Sequence, residues 1–285
     1  MMGTAKQTAV AQSNGPAHAD PVARKPMTVP DFMAAKSQGR RLTMLTVYDY
    51  TMARLLDAAG VDSLLVGDSL GMVVQGHTTS LPVTLDEVIY HTRCVARGTT
   101  HSLIIADLPF MSFQVSPQQA VENAGRLVKE GGAHAVKLEG GVRSAAAIAA
   151  IAAADIPIMG HIGMTPQSVN LLGGFRVQRA EERLLEDAAA VEKAGAFAVV
   201  VECVPTDLAG KVTAALRVPT IGIGAGPHCD GQVLVTPDIL GLFGDFRPKF
   251  VKVFADLGKQ VKGAVEQYCR EVRDGSYPGP ENSFR

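Results

Sequence analysis

The sequence predicts a (βα)₈ barrel of the TIM type. Short apolar runs alternate with segments of helical spacing from about Thr28 onward, and that alternation means parallel βαβ units. The units number eight, enough to close a barrel. The first apolar run leads into "TVYDYTMA", without the glycine-rich turn that a doubly wound open sheet normally carries after its first strand.

The elements follow in order. "TVPDFMAAKSQGRR" reads as a short helix, with Pro30 near its start and Gly39 near its end. "RLTMLTVYD" is the first strand, "YTMARLLDAAG" its helix and "VDSLLVGDS" the second strand. Thr84 to Glu87, "TLDE", has the form of a capping box, in which hydroxyl and carboxylate satisfy amide donors at a helix start. That helix is expected to reach about Arg97. "SLIIADLPF" is a strand stopped by Pro109. Ser116 is the N-cap of the next helix, with Pro117 at its first position and Gly131 as its terminator. "HAVKLEGG" and "RSAAAIAAIAAAD" form the next strand and helix. The strand "IPIMGH", the helix "AEERLLEDAAAVEKAG", the strand "FAVVVECVP" and the helix "DLAGKVTAAL" follow. "VPTIGIGAG" is the seventh strand. "PKFVKVF" is assigned as the eighth, before the helix "LGKQVKGAVEQYCREV". Residues 1–26 are read as a flexible tail, 27–275 as one catalytic barrel and 276–285 as a C-terminal tail.

A chain of 285 residues with 47% hydrophobic content can bury a large core, and α/β barrels use this length as one domain. Lys and Arg total 27 against 28 Asp and Glu, a balance that gives no electrostatic reason to expect nucleic acid or a membrane surface. A small molecule, or another copy of the chain, is the expected partner. Cys94, Cys203, Cys229 and Cys269 form no C-x-x-C pair and match no zinc spacing. They read as thiols of a reducing compartment. No apolar run reaches the length of a transmembrane helix, and the N-terminus lacks the apolar centre of a signal peptide. A cytoplasmic location is the default.

In such barrels the chemistry sits where strands end and βα loops begin. The second strand ends at Asp68 and Ser69, the third at Asp107, the fourth at Lys137 and Glu139, the fifth at His161 and the sixth at Glu202. Lys137 and Glu139 are two apart, so they share one face of their strand. Any one of these residues has an ordinary explanation, since Asp after a strand is commonly a helix cap or turn former. Carboxylates at four strand ends converge on one mouth, and clustering them raises the cost of ionisation. Protons or a metal must offset that repulsion. Oxygen donors without cysteine favour a hard cation such as Mg²⁺. Asp68, Asp107 and Glu139 are the natural ligand set, some of them through water. Glu202 lies farther round and remains free as a base, and Lys137 suits an anionic substrate. His161 either orders a substrate or holds a loop. Tyr48, at the end of the first strand, either lines the pocket or packs. "IGIGAG" lacks the dinucleotide spacing and reads as a tight turn or a packing element.

Longer blocks carry a family resemblance. "LLVGDSLGMVVQGHTTSLPVTLDEVIYHTRCVARG", "ADLPFMSF", "GGAHAVKLEGG", "IPIMGHIGMTPQSVNLLGGF", "VVVECVP" and "PTIGIGAGPHCDGQVLV" resemble the ketopantoate hydroxymethyltransferase family, in order, over about residues 28 to 272. The resemblance implies a (βα)₈ barrel of the phosphoenolpyruvate/pyruvate-type superfamily, assembled as a decamer. It implies Mg²⁺, 3-methyl-2-oxobutanoate as substrate, 5,10-methylenetetrahydrofolate as one-carbon donor and the first step of the pantothenate branch toward coenzyme A. By the same resemblance, Asp68, Asp107 and Glu139 bind the metal. Asp68, Ser69, Asp107 and Lys137 contact the 2-oxoacid, and Glu202 is the proton acceptor. The loop after Gln178 is shorter than the family's usual one. The related isocitrate lyase and phosphoenolpyruvate mutase type carries a reactive cysteine in a "K-x-C-G" loop, and no such string occurs in this chain.

Overall fold

The computed structural model describes residues 24–242 and 248–284. Eight parallel strands form a closed barrel in sequence order, each paired with the next and β8 returning to β1. The strands are β1 Leu42–Thr46, β2 Ser63–Val66, β3 Leu103–Asp107, β4 Ala135–Glu139, β5 Ile158–Gly163, β6 Ala198–Glu202, β7 Thr220–Ile223 and β8 Gly231–Leu234. The helices are α1 Val29–Ser37, α2 Tyr50–Ala58, α3 Leu70–Val73, α4 Leu85–Gly98, α5 Pro117–Arg126, α6 Ala145–Ala153, α7 Val169–Leu172, α8 Glu181–Lys193, α9 Thr206–Ala215, α10 Thr236–Ile239 and α11 Leu257–Asp274.

The expected helix starts are built as their sequences require. Thr28 caps α1 through a reciprocal box with Asp31, and Thr84 does the same for α4 with Glu87. Ser116 accepts from the Gln119 amide at the start of α5. That helix widens into a π turn over Leu127–Gly131, and the left-handed residue that ends it is Gly132.

Two apolar layers hold the barrel. Alternate residues of the strands, among them Met44, Leu65, Ile105, Met159 and Val200, fill its interior. The opposite faces pack against the surrounding helices. Helix α1 plugs the N-terminal end: Phe32 is fully buried there and meets Phe197 edge-to-face at 5.8 Å. Burying one such side chain is worth about 1.5–3 kcal/mol. Charged groups fasten the same end, where Lys36 reaches Asp230 at 3.0 Å and Arg40 reaches Asp62 at 2.8 Å.

The eighth strand is a correction. "PKFVKVF" is not in the sheet; β8 is the preceding "GQVL". The earlier segment wins because Gly231 can approach the Leu42 carbonyl of β1, where a Cβ would stand only 2.6 Å from that oxygen. The segment 248–254 instead crosses the end of β7, with Phe250 against Gly224, and the Phe254 amide donates to the Ile239 carbonyl. Gly226 likewise packs against Thr206, so "IGIGAG" serves as a packing element.

Of the tail expected over 1–26, residues 1–23 lie outside the described residues. Arg24 already belongs to the body, donating to the Gly60 and Val61 carbonyls. The segment expected as a C-terminal tail carries a 3₁₀ turn at Pro280–Asn282, and Tyr277 packs on Tyr268. Among the described residues, no helix is long and apolar enough to cross a membrane, and the four cysteines are free thiols.

Candidate active site

Strand register assembles the site. β3 and β4 pair Asp107 with Lys137, β4 and β5 pair Glu139 with His161, and β5 and β6 pair Gly163 with Glu202. Side chains that sit beside each other in a parallel sheet and face inward meet at the mouth of the barrel. Lys137 Nζ stands 2.6 Å from Asp107 Oδ1, 3.8 Å from Glu139 Oε1 and 3.3 Å from His161 Nδ1. His161 Nδ1 is 3.5 Å from Glu139 Oε1, and its Nε2 is 3.2 Å from Glu202 Oε2. Asp68 lies just past β2, where its backbone N–H donates to Asp107 Oδ2 at 3.1 Å.

The six charged residues expected at strand ends therefore form one connected group. Ser69 stands at its edge, with its Oγ 2.8 Å from the Tyr48 hydroxyl. Tyr48 is buried, so it packs and also orients a residue of the site. Gly67 makes room for this arrangement, since a Cβ there would stand 2.9 Å from Ser69 Oγ and 3.5 Å from Asp107 Oδ2.

Gln167 is a member that strand-end reasoning misses. It comes from the loop after β5, and its side chain donates to Asp68 Oδ2 and to the Leu108 carbonyl, both at 2.9 Å. Its backbone N–H donates to Glu139 Oε2 at 3.0 Å. One residue thus fixes one oxygen on each of two carboxylates. No spacing in the sequence signals this; only the path of the loop over the mouth does.

The electrostatics follow from burial. Asp68, Asp107, Lys137, Glu139 and His161 are each at most 4% exposed, while the Glu202 side chain is 14% exposed. Burial lifts Asp68 well above the ordinary carboxylate range, and Asp107 and Glu139 lift it further. Asp107 is also raised, by burial and by Glu139, against the pull of Lys137. Burial opposes the Lys137 charge, yet Asp107, Glu139 and Asp68 hold it protonated above the usual lysine range. Burial likewise opposes Glu139 ionisation, but His161, Lys137 and the Gln167 amide bring Glu139 below its ordinary value. Burial and Lys137 oppose a charge on His161; Glu139 and Glu202 outweigh them and lift it to about 9. Four carboxyl groups therefore crowd round two cationic side chains, and the crowding shows in the raised Asp68 and Asp107.

That imbalance bears on a metal. Among the described residues, no three His, Cys, Asp or Glu side chains already close into a metal cage. Asp107 Oδ1 and Glu139 Oε1 are nonetheless buried without an aligned hydrogen bond. Hard oxygens of this kind suit Mg²⁺, which takes one or two carboxylates directly and keeps water in its other positions. Asp68, Asp107 and Glu139 fit such a cation on these terms.

A closed (βα)₈ barrel with carboxylates, a lysine and a histidine gathered at the C-terminal ends of its strands defines an enzyme of the barrel class. The ketopantoate hydroxymethyltransferase family model matches residues 26–280. A 3-methyl-2-oxobutanoate hydroxymethyltransferase of Moorella thermoacetica is 57% identical over 266 residues, covering 92% of this chain and 99% of the relative. One of Pelobacter propionicus is 54% identical over 264 residues, covering 92% and 98%. The chain belongs to the ketopantoate hydroxymethyltransferase family, and it is a one-carbon transferase. Solved structures agree on the fold alone. A phosphonopyruvate hydrolase in complex with oxalate and Mg²⁺ superposes with a TM-score of 0.60 at 16% identity, covering 90% of this chain and 93% of that one. A 2,3-dimethylmalate lyase of the phosphoenolpyruvate mutase/isocitrate lyase superfamily gives 0.56 at 17% identity, covering 89% and 92%.

Proposed function

We propose that this enzyme catalyses the Mg²⁺-dependent transfer of a hydroxymethyl group from 5,10-methylenetetrahydrofolate to 3-methyl-2-oxobutanoate, giving 2-dehydropantoate. The reading is supported above all by one observation. Glu202 is the most accessible carboxylate of a buried acidic cluster, and the cluster also holds Lys137 and two carboxylate oxygens without aligned partners. Residues 27–275 then form the single catalytic barrel.

Asp68, Asp107 and Glu139 would hold the magnesium ion. When bound there, the ion supplies Lewis-acid polarisation of the keto acid and offsets charge that develops on its oxygen. Lys137 binds the substrate's anionic end or its developing oxyanion, and Ser69 and Asp68 contact the same molecule. Glu202 takes the proton from C3, a placement worth about 10²–10⁴-fold in rate. His161, held between Glu139 and Glu202, fixes the orientation of the base. The carbanion equivalent then forms a carbon–carbon bond to the donor's methylene carbon. The bonds from that carbon to the folate nitrogens break, water supplies the product's hydroxyl oxygen, and the proton taken from C3 returns to the departing tetrahydrofolate. Oxalate and Mg²⁺ on a protein of the same fold add support. A cytoplasmic homodecamer completes the reading; the exposed apolar row Val261, Val265, Tyr268 and Val272 along α11 supports assembly with further copies.

The test is proton exchange at C3 of 3-methyl-2-oxobutanoate in D₂O. Glu202→Gln is expected to lose exchange by at least ~100-fold while the keto acid still binds in a Mg²⁺-dependent way. Exchange at the wild-type rate removes Glu202 from the role of base.

A further inference from the structure

The keto acid is small, and the donor that must reach it is not. A cavity of about 360 Å³ opens beside Glu139, between the β3–α5 loop and the β4–α6 connection. That size falls among ordinary ligand sites, which run roughly 300–1,000 Å³. Phe110, Phe113 and Val115 form one wall, Arg143 and Ala147 the other, and Gln167 joins Glu139 on the side of the acidic cluster.

The apolar wall is built in advance. Met111 takes a left-handed backbone at φ 65°. Gln119 donates to its carbonyl at 3.0 Å, and Asn123 donates to the Ser112 carbonyl at 2.6 Å. Both donors come from α5, so the loop is pinned to a helix. Phe110 and Val115 are nevertheless 39% and 67% exposed. A rigid, exposed aromatic edge beside a polar site suits a planar heterocycle.

Arg143 brings a positive charge to the same cavity. Its Nη2 donates to Ser168 Oγ at 2.7 Å and lies 3.4 Å from Thr165 Oγ1. Among the described residues no carboxylate lies within 4.0 Å of it, as for several other exposed arginines, but Arg143 alone of these lines the cavity beside Glu139. Neutral hydroxyls orient the guanidinium without balancing its charge. A carboxylate brought by a ligand would balance it, in the forked geometry that guanidinium favours. The cavity is also wired to the cluster: Gln114 donates to Gln167 Oε1 at 3.2 Å, and Gln167 holds Asp68 and Glu139. A larger cavity of about 640 Å³ lies on the other side of Arg143, but Glu186 and Asp187 line it and none of the clustered residues does.

Resting on the proposed function, the geometry points to the 360 Å³ cavity as the seat of the folate donor, its fused heterocycle against Phe110 and Phe113 and its carboxylate-bearing tail at Arg143. Donor binding and keto-acid activation then occupy adjoining halves that meet at Glu139 and Gln167.

The experiment compares the intact wild-type protein with Arg143→Ala, Arg143→Lys and Phe110→Ala. It measures C3 proton exchange without folate, the KM for 5,10-methylenetetrahydrofolate, and equilibrium binding of tetrahydrofolate. In the variants, exchange is expected within about twofold of wild type, since it uses only the keto-acid half. The donor KM and the tetrahydrofolate Kd are expected to rise about tenfold in Arg143→Ala and Phe110→Ala, a factor equivalent to about 1.4 kcal/mol. Partial recovery is expected in Arg143→Lys, which keeps the charge and loses the fork. Unchanged donor KM and Kd in both alanine variants overturn the assignment. So does a change in sedimentation without a change in donor affinity, which would give the wall to a second copy of the chain. A wild type that fails to exchange the C3 proton overturns the underlying function instead, so the two failures are separable.

Discussion

Lys137 Nζ stands 2.6 Å from Asp107 Oδ1, and the register of β3 against β4 places the two residues side by side. Both side chains are nearly inaccessible to water. Removing one partner leaves the other charge buried and uncompensated. Lys137→Met is therefore expected to cost about 3–5 kcal/mol of stability, read by urea unfolding with chelator present. A loss below about 1 kcal/mol would show that neighbouring carboxylates simply take up protons.

Gln167 donates to Asp68 and to Glu139 from opposite ends of the same residue. The backbone donor survives substitution; the side-chain donor does not. Gln167→Ala is expected to weaken Mg²⁺ binding by about 10–100-fold, the usual scale for groups that orient metal-binding carboxylates. Calorimetric titration with Mg²⁺ and keto acid, without folate, reads it directly. An unchanged isotherm would leave Gln167 a merely structural residue.

Gly163 takes φ +92°, and a Cβ on it would collide with the Glu202 carbonyl. Gly163 and Glu202 are register partners. The obstacle is backbone, so it cannot swing away. Gly163→Ala is expected to destabilise the protein by about 1–3 kcal/mol and, with Glu202 as the proposed base, to slow C3 exchange by displacing it, with keto-acid binding less affected. Wild-type exchange in a folded variant would mean the mouth tolerates that displacement.

Asp57 ties α2 to the entry of β3. Its carboxylate accepts from the backbone N–H groups of Thr100, His101 and Ser102 and from the hydroxyls of Thr100 and Ser102. Burial opposes ionisation here, but the Ser102 and Thr100 donors prevail and hold Asp57 below the usual carboxylate range. A depressed folded-state value contributes stability that is present above the unfolded value, about 3.9, and is lost as pH falls toward the folded one. Asp57→Asn is expected to cost about 1.5–3 kcal/mol at pH 7. The gap between wild type and variant should narrow as pH drops below about 4. A gap that stays constant down to pH 2 would refute the ionised carboxylate as its source.

Local patterning already reveals the alternation of strands and helices, the capping residues Thr28, Thr84 and Ser116, and the placement of Asp107, Lys137, Glu139, His161 and Glu202 toward the C-terminal ends of their strands, although β5 runs past the expected end at His161 to Gly163. These are local properties: periodicity, hydroxyl caps and the fixed polarity of a parallel strand. The remaining features depend on how the barrel closes. "GQVL" and not "PKFVKVF" is β8, and Gly231 lies so close to the Leu42 carbonyl that a Cβ would not fit, a contact between the last and first strands of the barrel. Gln167 joined the site because its loop folds back over the mouth, and which carboxylate oxygens lack an aligned hydrogen bond depends on that loop and on strand register together. Such pairings are set by which distant segments share a closed barrel, and local composition does not encode that adjacency one residue at a time.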